Sequence, residues 1–228
     1  MSTDMECPVL LSHPMAEDTP AYGNGVGVRI RKTTSIAGGD TANTVEITLP
    51  NHIGTHVDVP AHFFDGGMTL TEYPAKSWLF HRPVLRDVQP GESGLIEPEG
   101  LEDLPHDTDL LILRTGHGRM RNEEVYWSGG PGLSPALGTW LRDARPSVAA
   151  VGMDLISVTS RLHREAGRAA HRAFLDPAGS GQPIRLIEDM DLENAPGDLG
   201  RVLVSPFMLQ SADGAPVTVW GFPGDAAS

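Results

Sequence analysis

Cysteine is almost missing from this chain. Cys7 is the only one in 228 residues, which excludes an internal disulfide and a thiolate metal cluster. Any metal must therefore be held mainly by His and carboxylate groups. No apolar run approaches the roughly 18 residues of a membrane-crossing helix. The start, Met1 to Cys7, is acidic and lacks the basic and apolar stretches of a signal peptide. Positive charge is scarce: 17 Lys and Arg stand against 30 Asp and Glu, for a net charge of −13. That balance disfavours nucleic acid and anionic membranes as partners, since phosphates would be repelled over most of the surface. Several motifs are also missing. There is no H-E-x-x-H and no G-x-S-x-G, and the Gly23 to Gly27 run lacks the G-x-G-x-x-G spacing of a phosphate loop. A cytoplasmic enzyme acting on a small molecule is the class left open.

The pattern along the chain predicts a mixed α/β fold in a single domain, residues 1–228, with no internal repeat or splitting linker. Val9–Leu11 and Val26–Ile30 read as short strands. Thr44 to Leu49 alternates, with Val45, Ile47 and Leu49 on one face, and reads as a half-buried strand. Pro83 to Val88 reads as another strand, and Leu101 to Leu104 as one helical turn. Asp109 to Leu113 and Val148 to Met153 are near-continuous apolar runs, as in strands covered on both faces. Between them Ser134 is a good N-cap with Pro135 at the first helical position. This order gives a strand–helix–strand unit with a parallel pair. Arg161 to Leu175 is helix-permissive. Ile184–Ile187, Val202–Val204 and Val217–Trp220 complete the strands, with a turn at Asp213–Gly214. At 228 residues the chain is short for a (β/α)8 barrel of about 250 residues.

Three of the nine histidines and one aspartate crowd into one short stretch, His52-x3-His56-x-Asp58-x3-His62. Neutral imidazole and carboxylate are the ligands of Zn²⁺, Mn²⁺ and Fe²⁺. Fully extended, His52 and His56 would stand about 13 Å apart, so sharing an ion requires a turn, which Gly54 permits. Folded so, His52, His56 and Asp58 form a two-His, one-carboxylate set with open positions. His62 lies beyond Pro60. It could be a fourth ligand, but imidazole titrates near neutrality, which favours a general acid/base role beside the ion.

The stretch His52-x-Gly54-Thr55-His56-x-Asp58-x-Pro60-x-His62-Phe63 resembles the signature of the cyclase-like metal-dependent hydrolases, a family that includes bacterial kynurenine formamidase and isatin hydrolase. The likeness continues through Leu111–Gly116, Pro131–Ser134, Val151–Asp154, His171–Leu175 with Leu186–Glu188, and Asp213–Val217. It implies a cyclase-like fold with a barrel-like β core and surrounding helices, in a homodimer or higher homo-oligomer. It implies one or two divalent ions, zinc or manganese. His52, His56 and Asp58 would hold the first, and Asp58 would bridge to a second held also by His171 and Glu188. His62 would be the catalytic acid/base. The chain departs from the pattern in two places: the loop Asp176–Gln182 intervenes between His171 and Glu188, and Asp189 stands where relatives carry Asn.

Together these readings predict hydrolysis of an amide, formamide, cyclic amide or lactone in a small, possibly aromatic, substrate. Tyr22, Phe63, Trp78 and Trp127 are candidate walls for its ring. A metal-dependent cyclase or dehydratase, and a metal- or ligand-binding module without turnover, are the alternatives.

Overall fold

Two strands that are consecutive in the chain lie at opposite ends of one sheet, and this bends the sheet round on itself. The computed structural model describes residues 7–224; the acidic tip at residues 1–6 lies outside them. The chain lays down β1 (Val9–Leu10), then β2 (Arg29–Thr34), β3 (Thr44–Thr48) and β4 (His56–Asp58). Next come β5 (Leu79–Phe80) and β6 (Pro83–Asp87), with only His81 and Arg82 between them. The middle of the chain is β7 (Leu95–Ile96), β8 (Leu110–Arg114), α1 (Glu124–Ser128), β9 (Gly132–Leu133), α2 (Pro135–Ala144) and β10 (Ala150–Met153). It ends with α3 (Arg164–Leu175), β11 (Arg185–Glu188), β12 (Leu199–Pro206) and β13 (Gly214–Pro223).

The main sheet runs β5-β12-β13-β4-β11-β10-β8-β6, with β1 added on β13. Its two end strands meet at the His81–Arg82 link, whose backbone N–H groups donate to Asp109 at 2.7 and 2.9 Å. The result is a nearly closed, barrel-like sheet in a mixed α/β domain. Strands β6, β8, β10 and β11 are parallel, and β4 is antiparallel to both β11 and β13.

The apolar runs explain the layering. Leu110 and Ile112 of β8 point to a core shared with Val57, Ile187, Val202 and Val219. Leu111 and Leu113 point the other way, onto Leu137 and Leu141 of α2 and Phe174 of α3. Each such side chain contributes about 1.5–3 kcal/mol on burial, so both faces of β8 hold the fold together. Helix α2 starts as its sequence predicts: the Leu137 N–H donates to Ser134 Oγ at 3.1 Å.

Four local expectations need correction. The strand expected at Val26–Ile30 is β2, from Arg29 to Thr34. Residues 44–48 do form a strand, but it is exposed throughout instead of half-buried, because it pairs only with β2 and no layer covers it. Val45 and Ile47 are 55% and 54% exposed. Leu101 and Leu104 are buried, yet they sit in a turn closed by the Leu104 N–H to Leu101 carbonyl bond, not in a helix. The helix expected from Arg161 begins at Arg164, which leaves Leu162 outside it and exposed.

Candidate functional site

Strand β4 brings two of the expected ligands onto one face. His56 and Asp58 are two positions apart and therefore point the same way, while Val57 between them faces the core. Register then supplies a third group. Glu188, the last residue of β11, is the cross-strand partner of His56, and their Nε2 and Oε2 atoms are 3.2 Å apart. Helix α3 supplies a fourth: His171 Nε2 lies 3.6 Å from both Asp58 and Glu188. The turn before β4 is made at Gly54, at φ +61°, where a Cβ would come within 2.9 Å of Met15 Cε. That turn folds His52 back so that its Nδ1 meets Asp58 at 2.7 Å.

The rings are oriented by the atoms they do not show to the carboxylates. His56 Nδ1 donates to the Gly54 carbonyl at 2.7 Å, and His171 Nδ1 to the Gly167 carbonyl at 2.9 Å. A carbonyl can only accept, so both protons are placed on Nδ1 and both Nε2 atoms face Asp58 and Glu188. Such fixing of the tautomer from behind is what metal-ligating histidines show. Asp58 and Glu188 are 1% and 2% exposed, and two buried carboxylates this close require compensating positive charge. Imidazole nitrogen with carboxylate oxygen is a donor set that fits a divalent ion. The sets His52, His56, Asp58 and Asp58, His62, His171 each have ligand atoms within 4.8 Å of one another. Glu188 joins through His56 and His171.

His62 stands at the rim, half-buried, with Nε2 3.9 Å from Asp58. Its Nδ1 lies 2.8 Å from Asp213, which also meets His52 Nε2 at 3.0 Å and accepts from Asn51 Nδ2 at 2.7 Å. Asp213 is the site residue that sequence reasoning missed. It lies just ahead of Gly214, where β13 begins, and that strand pairs with β4 at Asp58. A lone Asp before Gly reads only as a turn.

Asp189, next to Glu188, is 1% exposed and takes a left-handed φ of +52°. The Arg121 guanidinium donates to both its oxygens at 2.8 and 2.6 Å, and the Tyr126 hydroxyl donates at 2.5 Å. This bidentate pair anchors the end of β11 and with it Glu188. Of the candidate ring walls, Tyr22 and Phe63 line the cavity above the cluster, which measures about 240 Å³. Trp78 does not; it is buried in the core, with Arg185 4.9 Å over its ring. Trp127 lines a separate recess beside Arg161.

The charge coupling gives a pH prediction. Burial alone would lower His56 and His171, but bonds to and charges of Asp58 and Glu188 raise them to about 9 and about 10. Glu188 is pushed up by burial and by Asp58, yet bonds from His171 and His56 bring it down to about 2. For the metal-free protein, the histidine contribution to stability is fully present below the ordinary value of 6.5 and is lost as pH rises through 9 and 10. The Glu188 contribution is present above 4.5 and is lost as pH falls toward 2. Urea melts of chelated protein should therefore show greatest stability between these limits and a decline toward pH 10. Added divalent metal should reverse the alkaline slope, because ligation displaces protons. A chelated protein that gains stability toward pH 10 would contradict this geometry.

Comparison with known proteins follows the same outline. The family model described as "Putative cyclase" matches residues 9–160. The kynurenine formamidase of Geobacillus thermodenitrificans (strain NG80-2) is 26% identical over 210 residues, which cover 91% of this chain and 93% of that protein. Isatin hydrolase A from Labrenzia aggregata, solved with benzyl benzoate, aligns with a TM-score of 0.75 at 17% identity over 96% of this chain and 94% of that one. A structure described as a potential metal-dependent hydrolase with cyclase activity aligns at 0.74 and 21% identity, over 96% and 99% of the two chains. At these identities the structural likeness speaks to the fold. Among the described residues no helix is long and apolar enough to cross a membrane.

Proposed function

Because the chain belongs to the cyclase family, we propose that it is a divalent-metal-dependent hydrolase that opens an amide, formamide, cyclic amide or lactone bond in a small molecule. The observation that carries the reading is the pair His56 and His171, each tied by Nδ1 to a carbonyl and each presenting Nε2 to buried carboxylates. His52, His56 and Asp58 would hold one ion, zinc or manganese. Asp58, His171 and Glu188 would hold a second where two are bound. A divalent ion held by these residues would supply Lewis acidity, polarising an acyl carbonyl and lowering the pKa of water toward neutrality.

The chain's own residues handle the proton. Asp213 accepts the Nδ1–H of His62 and so keeps the His62 Nε2 lone pair turned to the cavity. From there Nε2 takes the proton of the attacking water and returns it to the leaving nitrogen or oxygen. Water adds across the bond, giving a carboxylate and an amine or alcohol. The names of the relatives, a kynurenine formamidase and an isatin hydrolase, favour C–N bonds in aromatic compounds. Phe63 beside the cluster, stacked on His171 at 4.5 Å, offers a flat apolar wall for such a ring.

Elemental analysis of purified protein, followed by turnover of formanilide, isatin and small lactones before and after chelation, tests the reading. Activity should vanish on chelation and return with Zn²⁺ or Mn²⁺; activity that survives complete metal removal overturns it. The relative described as having cyclase activity motivates one rival, a metal-dependent cyclase or dehydratase. In that case ¹⁸O from water would not enter the product.

A homodimer is part of the same proposal. The β2–β3 hairpin stands off the main sheet with Ile30, Val45 and Ile47 exposed, and an apolar cleft of about 620 Å³ lies between it, Phe207 and Leu209. β2 carries Arg29, Arg31 and Lys32, in a chain whose net charge is −13. A basic, apolar arm suits the acidic surface of a second copy. Light scattering should give a dimer for the native chain and a monomer for the Val45→Glu, Ile47→Glu double variant. A native monomer at micromolar concentration rules the dimer out.

A further inference from the structure

The cavity has a floor of one charge and a mouth of the other. Arg164 and Arg168, one turn apart on α3, line the mouth above His171. They continue a ridge with Arg161 before the helix and Arg172 further along it, the last lying 5.9 Å over the Phe63 ring. Among the described residues neither Arg164 nor Arg168 has a carboxylate within 4.0 Å, although the chain holds 30 of them. What sets these two guanidiniums apart is their place: they stand together on the lining of the cavity that holds the His and Asp cluster.

A second observation is independent of the first. Tyr22 lines the same cavity, and its hydroxyl is buried with no hydrogen-bond partner within the protein. A buried hydroxyl without a partner is uncommon and costs about 1–3 kcal/mol, which a ligand acceptor would recover. Burial raises the Tyr22 hydroxyl above its ordinary pKa, with the charges of Arg164, Arg161 and Arg168 acting against it and that of Glu188 adding to it.

We propose that the substrate carries a carboxylate, held by the Arg164 and Arg168 guanidiniums with the Tyr22 hydroxyl as a third donor, while its acyl bond lies over the His and Asp floor. The planar guanidinium fork matches a carboxylate, and Arg at the mouth of a cavity in an acidic protein steers an anion toward it. The approximately 240 Å³ of the cavity suits a body of about one ring with short substituents. This inference deepens the hydrolase reading and rests on it for the identity of the reacting bond.

The test pairs 2-formamidobenzoate with formanilide as substrates, and benzoate with benzamide as ligands, on the metal-loaded protein. The native enzyme should favour 2-formamidobenzoate in kcat/KM, and the Arg164→Gln, Arg168→Gln double variant should lower that ratio about 10- to 100-fold, through KM. Lys at both positions should restore part of it, and metal content should stay at the native level throughout. A ratio that the double variant leaves unmoved overturns the anion site while leaving the hydrolase reading intact. If neither amide is turned over, the reacting bond is of another of the proposed kinds and calorimetry decides the anion site alone. Benzoate bound more tightly than benzamide, with the difference lost in the double variant, upholds the site; equal binding to the native protein refutes it.

Discussion

His62→Ala is expected to lower kcat about 10²- to 10⁴-fold while metal content and melting temperature stay native. The geometry separates this ring from the ligands. His56 and His171 are 4% exposed and tied by Nδ1 to main-chain carbonyls. His62 is half-buried at the rim, is tied by Nδ1 to a carboxylate, and approaches Asp58 no closer than 3.9 Å. A carboxylate behind an imidazole holds the tautomer and favours the ring that has just taken up a proton, which suits a base. Imidazole added to the medium should recover part of the lost rate. Asp213→Asn should lower kcat less than His62→Ala does. If His62→Ala instead strips the metal, the ring is a ligand and another group must move the proton.

Asp58→Asn should remove metal binding and turnover together. Asp58 touches every imidazole of the cluster: His52 at 2.7 Å, His56 and His171 at 3.6 Å, and His62 at 3.9 Å. Bonds from His171 and His52 hold its carboxyl well below the ordinary range against the opposing effect of burial. The amide keeps the shape and loses the charge, so neither an ion nor a protonated histidine keeps its counter-charge. In the metal-free protein near pH 6 the loss should be about 3–5 kcal/mol, the cost of breaking a buried ion pair from one side. Elemental analysis and urea melts measure both effects. Native metal occupancy in Asp58→Asn would remove Asp58 from the ligand set and the present mechanism with it.

Which of these features the sequence disclosed follows from range. Asp109 to Leu113 announced a strand covered on both faces because an unbroken apolar run has no other economical place. Ser134 and Pro135 announced the start of α2 because capping is settled within four residues. The His52 to His62 half of the site was readable for the same reason: its groups are neighbours, and one glycine suffices to turn them together. His171 and Glu188 were indicated only by resemblance, since a histidine on a charged helix and a glutamate ending a strand carry no local signal. Asp213 was missed because nothing near it points to His62, 151 positions away. The exposed face of β3 was misjudged for a different reason. Alternation states that one face is apolar, but not whether anything in the same chain will cover it.

The position of β4 has a consequence for how the protein comes into being. This strand emerges early in synthesis, yet it pairs on one side with β11 and on the other with β13. Its preceding residue Thr55 bonds to the Asp189 carbonyl, 134 positions on. On the ribosome, His56 and Asp58 must therefore wait for their strand partners until β11 and β13 have been made. The contact order of the centre is high and its assembly comes late, so a metal ion would be taken up only after β11 and β13 are in place. A truncation that removes only β13 should leave an aggregation-prone intermediate, not a weakened enzyme.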